Sequence, residues 1–223
     1  MSTSTTPQPN KSILFISATG GIALATLRRC LASSNSSNQP NHPSLTITVL
    51  ARSPSRLQSL LSPSELSSPA LRIIQGNAHS TSDLVPVLLT NSSSSDPTTP
   101  DLVDIIITSI GGKPNLTKMG AVVDDPHVCE KGARALMEAL GQVRRSASSG
   151  SSSGMERKPK PYIIALSAAG ASTVHRDYPL PLYPLYALLL KTPLKDKRAM
   201  ENVLVDSDEK RWTVVRPKLE WKI

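Results

Sequence analysis

Apolar residues in this chain come in short runs, and the runs alternate between two periods. Ser12–Ser17 is an apolar run that ends in small residues, and Leu45–Ala51 is alternating and β-branched. Leu71–Gln75, Val103–Ser109 with its three consecutive isoleucines, Tyr162–Ser167 and Trp212–Arg216 have the same character. These six segments predict strands. Helical spacing fills the intervals: Gly20–Leu31, Pro54–Leu61, Thr81–Leu89, Pro126–Arg145, Leu182–Leu190 and Leu194–Val205, the last two divided by Pro193. The long Pro126–Arg145 segment repeats Val128, Ala133, Leu136, Leu140 and Val143 at helical intervals, and Pro126 suits a first-turn position. Strands alternating with helices predict an α/β fold: a doubly wound, Rossmann-like parallel sheet of about six strands with helices on both faces. Strands apolar at successive positions fit such a sheet, because both of its faces are covered.

Three stretches interrupt the pattern: Ser33–Ser44, Asn91–Pro100 and Ser146–Lys160. Their Ser, Asn, Pro and Gly content predicts flexible loops. Each follows a helix and precedes a strand, so each belongs at the end of the sheet away from a ligand site. Residues 1–11 are expected to be a disordered lead-in, and 12–223 a single nucleotide-binding domain, a size that supports one core. No run approaches the roughly 20 apolar residues of a membrane span, and Met1–Asn10 has no secretory hydrophobic region. A cytoplasmic protein is expected, with Cys30 and Cys129 as reduced, helix-borne thiols.

The first predicted strand leads into Ser17-Ala18-Thr19-Gly20-Gly21-Ile22-Ala23 and then a helix. A dinucleotide turn needs small residues there, because the pyrophosphate must approach the backbone and the free N–H groups of a helix N-terminus. Ala18, Thr19, Gly20, Gly21 and Ile22 are therefore cofactor-binding candidates, with Ala23 allowing close helix–strand packing. Ser17 stands where the first glycine usually does. The second strand ends in Arg52 and Ser53, with Arg56 close behind and no acid in the stretch. An acid there would bind ribose hydroxyls, whereas Arg52 pairs with a ribose 2′-phosphate. These residues point to NADP(H) rather than NAD(H).

The net charge is +8, yet only 3% of residues are aromatic. Stacking platforms for nucleic acid are nearly absent, so no nucleic-acid partner is expected. The densest basic cluster, Lys191–Arg198, is broken by Asp196 and reads as a solvated helix face. His42, His79, His127 and His175 lack metal-ligand spacing, so no metal is expected. Asp124, Asp125 and His127 read as a turn before a helix. His79, just past the third strand, is placed at the adenine side of the cleft.

Several segments together resemble the NmrA-like, NAD(P)H-binding atypical short-chain dehydrogenases/reductases. Ser17–Ala23 resembles the family's Gly-Ala-Thr-Gly-x-x-Gly, and Val49–Ser53 its second strand with the NADP-selecting arginine. Gly76-Asn77 stands where Gly-Asp is common, and Asp104–Gly111 is similar to the strand that passes near the nicotinamide. Ile164–Ser167 resembles strand five with its terminal serine. Lys197-Arg198 with Met200-Glu201, followed by Trp212–Pro217, is similar to the family's late helix and Thr-x-x-Arg-Pro strand. The resemblance adds Asn77, Ala78, Ser109, Ile110 and Gly111 to the cofactor-binding set. Fungal members include reductase-like enzymes of secondary metabolism of averufin-oxidase type; others are redox-sensing regulators. Family members continue past the Arg-Pro pair with elements that cover the substrate pocket, and this sequence ends at Ile223. Cofactor binding is accordingly a firmer expectation than turnover.

Standard short-chain reductases carry Tyr-x-x-x-Lys on one helix face, where the lysine lowers the tyrosine pKa. Here Tyr183 is followed four positions on by Ala187, Tyr186 by Leu190, and Lys197 is preceded by Pro193. Ser167, Tyr186 and Lys197 are the catalytic candidates, with Tyr183 an alternative. Ser167 would polarise a substrate oxygen, a tyrosine would donate a proton, and Lys197 would bind the nicotinamide ribose. Two functions are expected: an NADP(H)-dependent oxidoreductase acting on a small carbonyl or enone, or a catalytically silent NADP(H) sensor.

Overall fold

The computed structural model describes residues 10–35, 45–90, 101–112, 114–117, 120–149, 160–172 and 190–217. Six strands form one parallel sheet: β1 (Lys11–Ile16), β2 (Leu45–Ala51), β3 (Leu71–Gln75), β6 (Ile105–Thr108), β9 (Tyr162–Leu166) and β10 (Trp212–Val215). Their order is β10-β9-β6-β1-β2-β3. The chain winds outward from β1 in both directions, so the topological switch lies between β1 and β6. The doubly wound, Rossmann-like sheet expected from the hydrophobic pattern is present.

Helices cover both faces. α1 (Gly21–Asn35) and α2 (Pro54–Gln58) pack on one, where Leu27, Leu31 and Leu57 meet Phe15, Ile47 and Val49. α4 (Thr81–Leu88), α5 (Val128–Ser149) and α6 (Lys191–Val205) pack on the other, where Leu84, Leu136 and Met200 meet Leu14, Ile16, Ile106 and Ile163. Alternate residues of β1 therefore feed two separate cores, and each buried large side chain contributes about 1.5–3 kcal/mol.

Several boundaries differ from expectation. β1 takes in Lys11, which the sequence places in the lead-in, and α1 and α5 run on into the stretches read as loops. α6 begins at Lys191, not Leu194. Pro193 lies in its first turn, where the missing N–H has no intrahelical partner to lose. α3 (Pro63–Leu66) was not anticipated: Ser62 accepts from the Glu65 amide while the Glu65 side chain bonds back to the Ser62 amide. Two small antiparallel pairs were also not anticipated, β4 (Leu89–Thr90) with β5 (Asp101–Leu102) and β7 (Pro114–Thr117) with β8 (Gly120–Val123). The helix predicted over Leu182–Leu190 lies outside the described residues except for Leu190, as do most of the predicted loops.

Candidate functional site: a cleft across the strand ends

Ser17 follows β1 with φ 65, the left-handed conformation that favours glycine. Its side chain departs from the usual glycine, but its backbone does not. Ala18 and Ala23 are buried against the sheet, and α1 starts with the Leu24 amide donating to the Gly20 carbonyl at 2.8 Å. The earlier amides of that turn have no intrahelical acceptor, and the first turn of α1 holds no acid. A methyl group added at Gly20 or Gly21 would meet nothing within 4 Å. The backbone of the turn is thus open to its surroundings. Ile22 is 45% exposed beside it.

A cavity of about 110 Å³ adjoins this turn, lined by Ser17–Thr19, Leu50–Ser53, Arg56, Gly76–His79, Ile110, Gly111 and Val128. Arg52 and Arg56 are exposed, and neither has an ion-pair partner among the described residues. The Ser53 hydroxyl does not cap α2 and lies 3.3 Å from that of Ser55. The loop after β3 is tightly fixed. The Gly76 amide donates to Ala51, the Asn77 amide to Asp83 at 2.7 Å, and the His79 amide to Asn77 Oδ1. The Asn77 amide and then the Ser80 hydroxyl hold the Asp83 carboxyl below its ordinary range. His79 Nε2 lies 2.9 Å from the Val128 carbonyl, which can only accept, so Nε2 carries the ring proton. A side chain at Gly76 would strike Leu50 at 2.6 Å, which explains a glycine here.

A second cavity of about 300 Å³ opens on the other side of Gly111. Its walls come from Gly111 and Gly112 after β6, the N-terminus of α5, Ala168 and Ala169 after β9, the first turns of α6, and Pro217. Gly111 lines both cavities, so they lie side by side at the C-terminal strand ends. Lys197 Nζ donates to the Ile110 carbonyl and to the Leu166 carbonyl, each at 2.7 Å, and ties β6 to β9. Buried Asp196 accepts from the Cys129 and Glu130 amides at 2.8 and 3.0 Å. It thereby caps the positive end of α5 from a different helix. The Cys129 thiol donates to the Ile110 carbonyl, and burial pushes its pKa up to about 12. Asp125 accepts from the His127 amide and from Lys131 Nζ, and these bonds, the lysine's first, keep its carboxyl below the ordinary range.

The fold brings the predicted cofactor-binding residues to this cleft. Ala18, Thr19, Arg52, Ser53, Arg56, Asn77, Ala78, Ile110 and Gly111 line the smaller cavity, and Gly20, Gly21 and Ile22 stand at its turn. Ser109 is tied down: its hydroxyl donates to the Ser17 carbonyl. Lys197 lines the larger cavity. Ser167 is buried and lines neither, and its hydroxyl has no hydrogen-bond partner among the described residues. Tyr183 and Tyr186 lie outside the described residues. The reading of Lys191–Arg198 as a solvated face holds for Lys191, Lys195 and Arg198, which are exposed, and fails for Asp196, which is buried, and Lys197, which is half-buried, because one side of this end of α6 faces the cavity. Asp125 and Cys129 also line the cavity, a placement no local pattern signals; Asp125 does also form the turn expected there.

The chain is 30% identical over 221 residues to the reductase pytE of Aspergillus terreus, covering 93% of this chain and 75% of that protein. It is also 30% identical to the oxidase pynE of Aspergillus niger, covering 90% and 72%. Solved short-chain dehydrogenase/reductase structures share the fold. One from Serratia marcescens superposes with a TM-score of 0.51 at 13% identity, covering 89% of this chain and 67% of that one. An alcohol dehydrogenase from Thermococcus sibiricus, complexed with 5-hydroxy-NADP, gives 0.52 at 11% identity, covering 94% and 76%. The chain belongs to the family of these fungal proteins, named a reductase and an oxidase. No family model matches it. In this family member no group of three or more His, Cys, Asp or Glu among the described residues could hold a metal ion. Among the same residues no helix is long and apolar enough to cross a membrane.

Proposed function

We propose that this protein is an NADP(H)-dependent oxidoreductase of the atypical, NmrA-like short-chain class, acting on a small carbonyl or enone. The observation that carries the reading is the juxtaposition of an open glycine turn with two exposed arginines that have no ion-pair partner among the described residues. In this reading the amides from Thr19 to Ile22 hold the pyrophosphate, and Arg52, Ser53 and Arg56 hold the ribose 2′-phosphate. Asn77 and Ala78 flank the adenosine side. Ser109, Ile110 and Gly111 floor the passage towards the larger cavity. NADPH from solved relatives of the fold supports the choice, since the actinorhodin polyketide ketoreductase was crystallised with NADPH. Bound there, the dinucleotide supplies a hydride donor, and the chain supplies positioning. Lys197, held at the cavity wall by the Ile110 and Leu166 carbonyls, is proposed to meet a ribose hydroxyl or substrate oxygen. Ser167 and Tyr186 are proposed to assist at the carbonyl oxygen.

Calorimetric titration of the full chain with NADPH and NADH tests the reading. NADPH is expected to bind more tightly by roughly 10- to 100-fold, the worth of a charged hydrogen-bonded pair. Arg52→Asp is expected to abolish that preference. Absence of NADPH binding would overturn the proposal. A second reading, a dinucleotide sensor without turnover, is favoured by one observation: no tyrosine lines the larger cavity among the described residues. Tight NADPH binding without oxidation on any member of a carbonyl panel would select it.

A further inference from the structure

We propose that Ser53 is a site of phosphorylation by a proline-directed kinase, and that its phosphoryl group pairs with Arg52 and Arg56 and closes the smaller cavity to a ribose 2′-phosphate. The competition with the cofactor rests on the NADP(H) reading; the modification and the arginine pairing do not.

Ser-Pro and Thr-Pro pairs among the described residues begin at Ser53, Ser62, Ser68 and Thr192. Their hydroxyls differ in what they do. The Ser62 hydroxyl accepts from the Glu65 amide and donates to the Glu65 carboxylate, which would repel a phosphate. Ser68 is buried. Thr192 lies inside α6, and a kinase takes its substrate as extended chain. Ser53 is exposed, and its backbone is extended, with φ −130 and ψ 93. Its hydroxyl makes no capping bond and among the described residues meets only the Ser55 hydroxyl, 3.3 Å away.

The surroundings favour an anion. Arg52 and Arg56 share the wall of the smaller cavity with Ser53, and no carboxylate lines that wall among the described residues. The first turn of α2 carries no acid either. A phosphoserine brings a charge of about −1.5 to −2 at pH 7 and three acceptor oxygens. Each guanidinium can engage such oxygens in a bidentate pair. Because the group is tethered, it competes with a free dinucleotide at high effective concentration. An anion at the end of the second strand is also what NAD(H) sites use to accept from ribose hydroxyls, so NADH is not excluded with NADPH. In the step itself, Ser53 Oγ bonds to the γ-phosphorus of ATP and the bond to the β,γ-bridging oxygen breaks. ADP leaves, and the hydroxyl proton passes to the kinase's catalytic aspartate.

The test treats the full chain with ATP, Mg²⁺ and a purified mitogen-activated protein kinase, maps the product by peptide mass spectrometry, and titrates it calorimetrically with NADPH and NADH. Phosphate is expected at Ser53, and in Ser53→Ala the same peptide is expected to carry none. NADPH affinity is expected to fall at least about 100-fold and NADH affinity by less than about threefold, so that the preference for NADPH is lost. ³¹P NMR reads the arginine contact without any dinucleotide. The second ionisation of the phosphoserine, ordinarily near about pH 6, is expected at least about half a pH unit lower in the folded chain than in the same chain unfolded in urea. Arg52→Gln combined with Arg56→Gln is expected to remove that difference. No phosphate at Ser53, equal losses for NADPH and NADH, or a phosphoserine that titrates alike folded and unfolded would each overturn the proposal. A lowered ionisation in a chain that binds neither dinucleotide before modification would instead remove the cofactor reading and leave the phosphoserine–arginine site standing.

Discussion

Ser17 holds a left-handed backbone with an ordinary side chain, at a cost of about 1–2 kcal/mol. Replacing it with glycine relieves that strain but adds roughly 0.5–1 kcal/mol of unfolded-state freedom. Ser17→Gly is therefore expected to raise stability by less than about 1 kcal/mol, measured by urea unfolding. Lys197 gives a larger effect. Lys197→Met leaves the Ile110 and Leu166 carbonyls without their donor, and a loss of about 1–3 kcal/mol is expected in the same assay. These two residues, set beside Arg52, also mark what the sequence discloses. Arg52 is legible because it ends a strand with no acid nearby, and position alone carries its meaning. The commitment of Lys197 is not legible, because its partners are backbone carbonyls 87 and 31 residues away and any residue type supplies those. Ser17 falls between: its identity departs from the usual glycine, and only its φ shows a backbone of the kind glycine favours.

At the scale of elements, α5 illustrates how packing overrides propensity. Gly132 sits inside the helix, where alanine would gain about 1 kcal/mol. An added methyl would lie 2.2 Å from Ile110 Cδ1, and Ile110 is buried. Overpacking of this kind costs about 1–3 kcal/mol, so Gly132→Ala is expected to destabilise the protein on thermal unfolding. Adding Ile110→Val, which removes the obstructing methyl, is expected to recover much of the loss. β1 and β6 were readable because burial on both faces writes an apolar run into each, whereas β3 and β10, at the sheet edges and partly exposed, were readable from short β-branched segments. The two small antiparallel pairs are too short to carry a period. α3 did carry a sign, the Ser62–Glu65 spacing of a capping box. The cap on α5 carried none, since Asp196 reaches it from α6 and local sequence holds no trace of that bond.

At the scale of the whole molecule, four carboxylates among the described residues sit below their ordinary pKa values. Glu65 is held by the Ser62 amide and Asp83 by the Asn77 amide. Asp125 is held by Lys131 and Glu130 by Arg134. A group whose folded pKa is depressed stabilises the fold above its unfolded value, and that contribution drains away as pH falls through the folded value. The thermal midpoint is thus expected to be level above about pH 5 and to drop below about pH 4. Combined Asn and Gln replacements at these positions should flatten that drop. A different pair of contacts governs the seam between the two halves of the sheet. At the bottom of β1 the Asp104 carboxylate takes both the amide and the hydroxyl of Ser12, and at the top the Ser109 hydroxyl holds the Ser17 carbonyl. The fold is stitched at both ends of its central join, and the upper stitch is itself the floor beneath the glycine turn. Any molecule lodged there rests on the knot that keeps β1 and β6 from parting, so occupancy and cohesion of the two halves would rise and fall together.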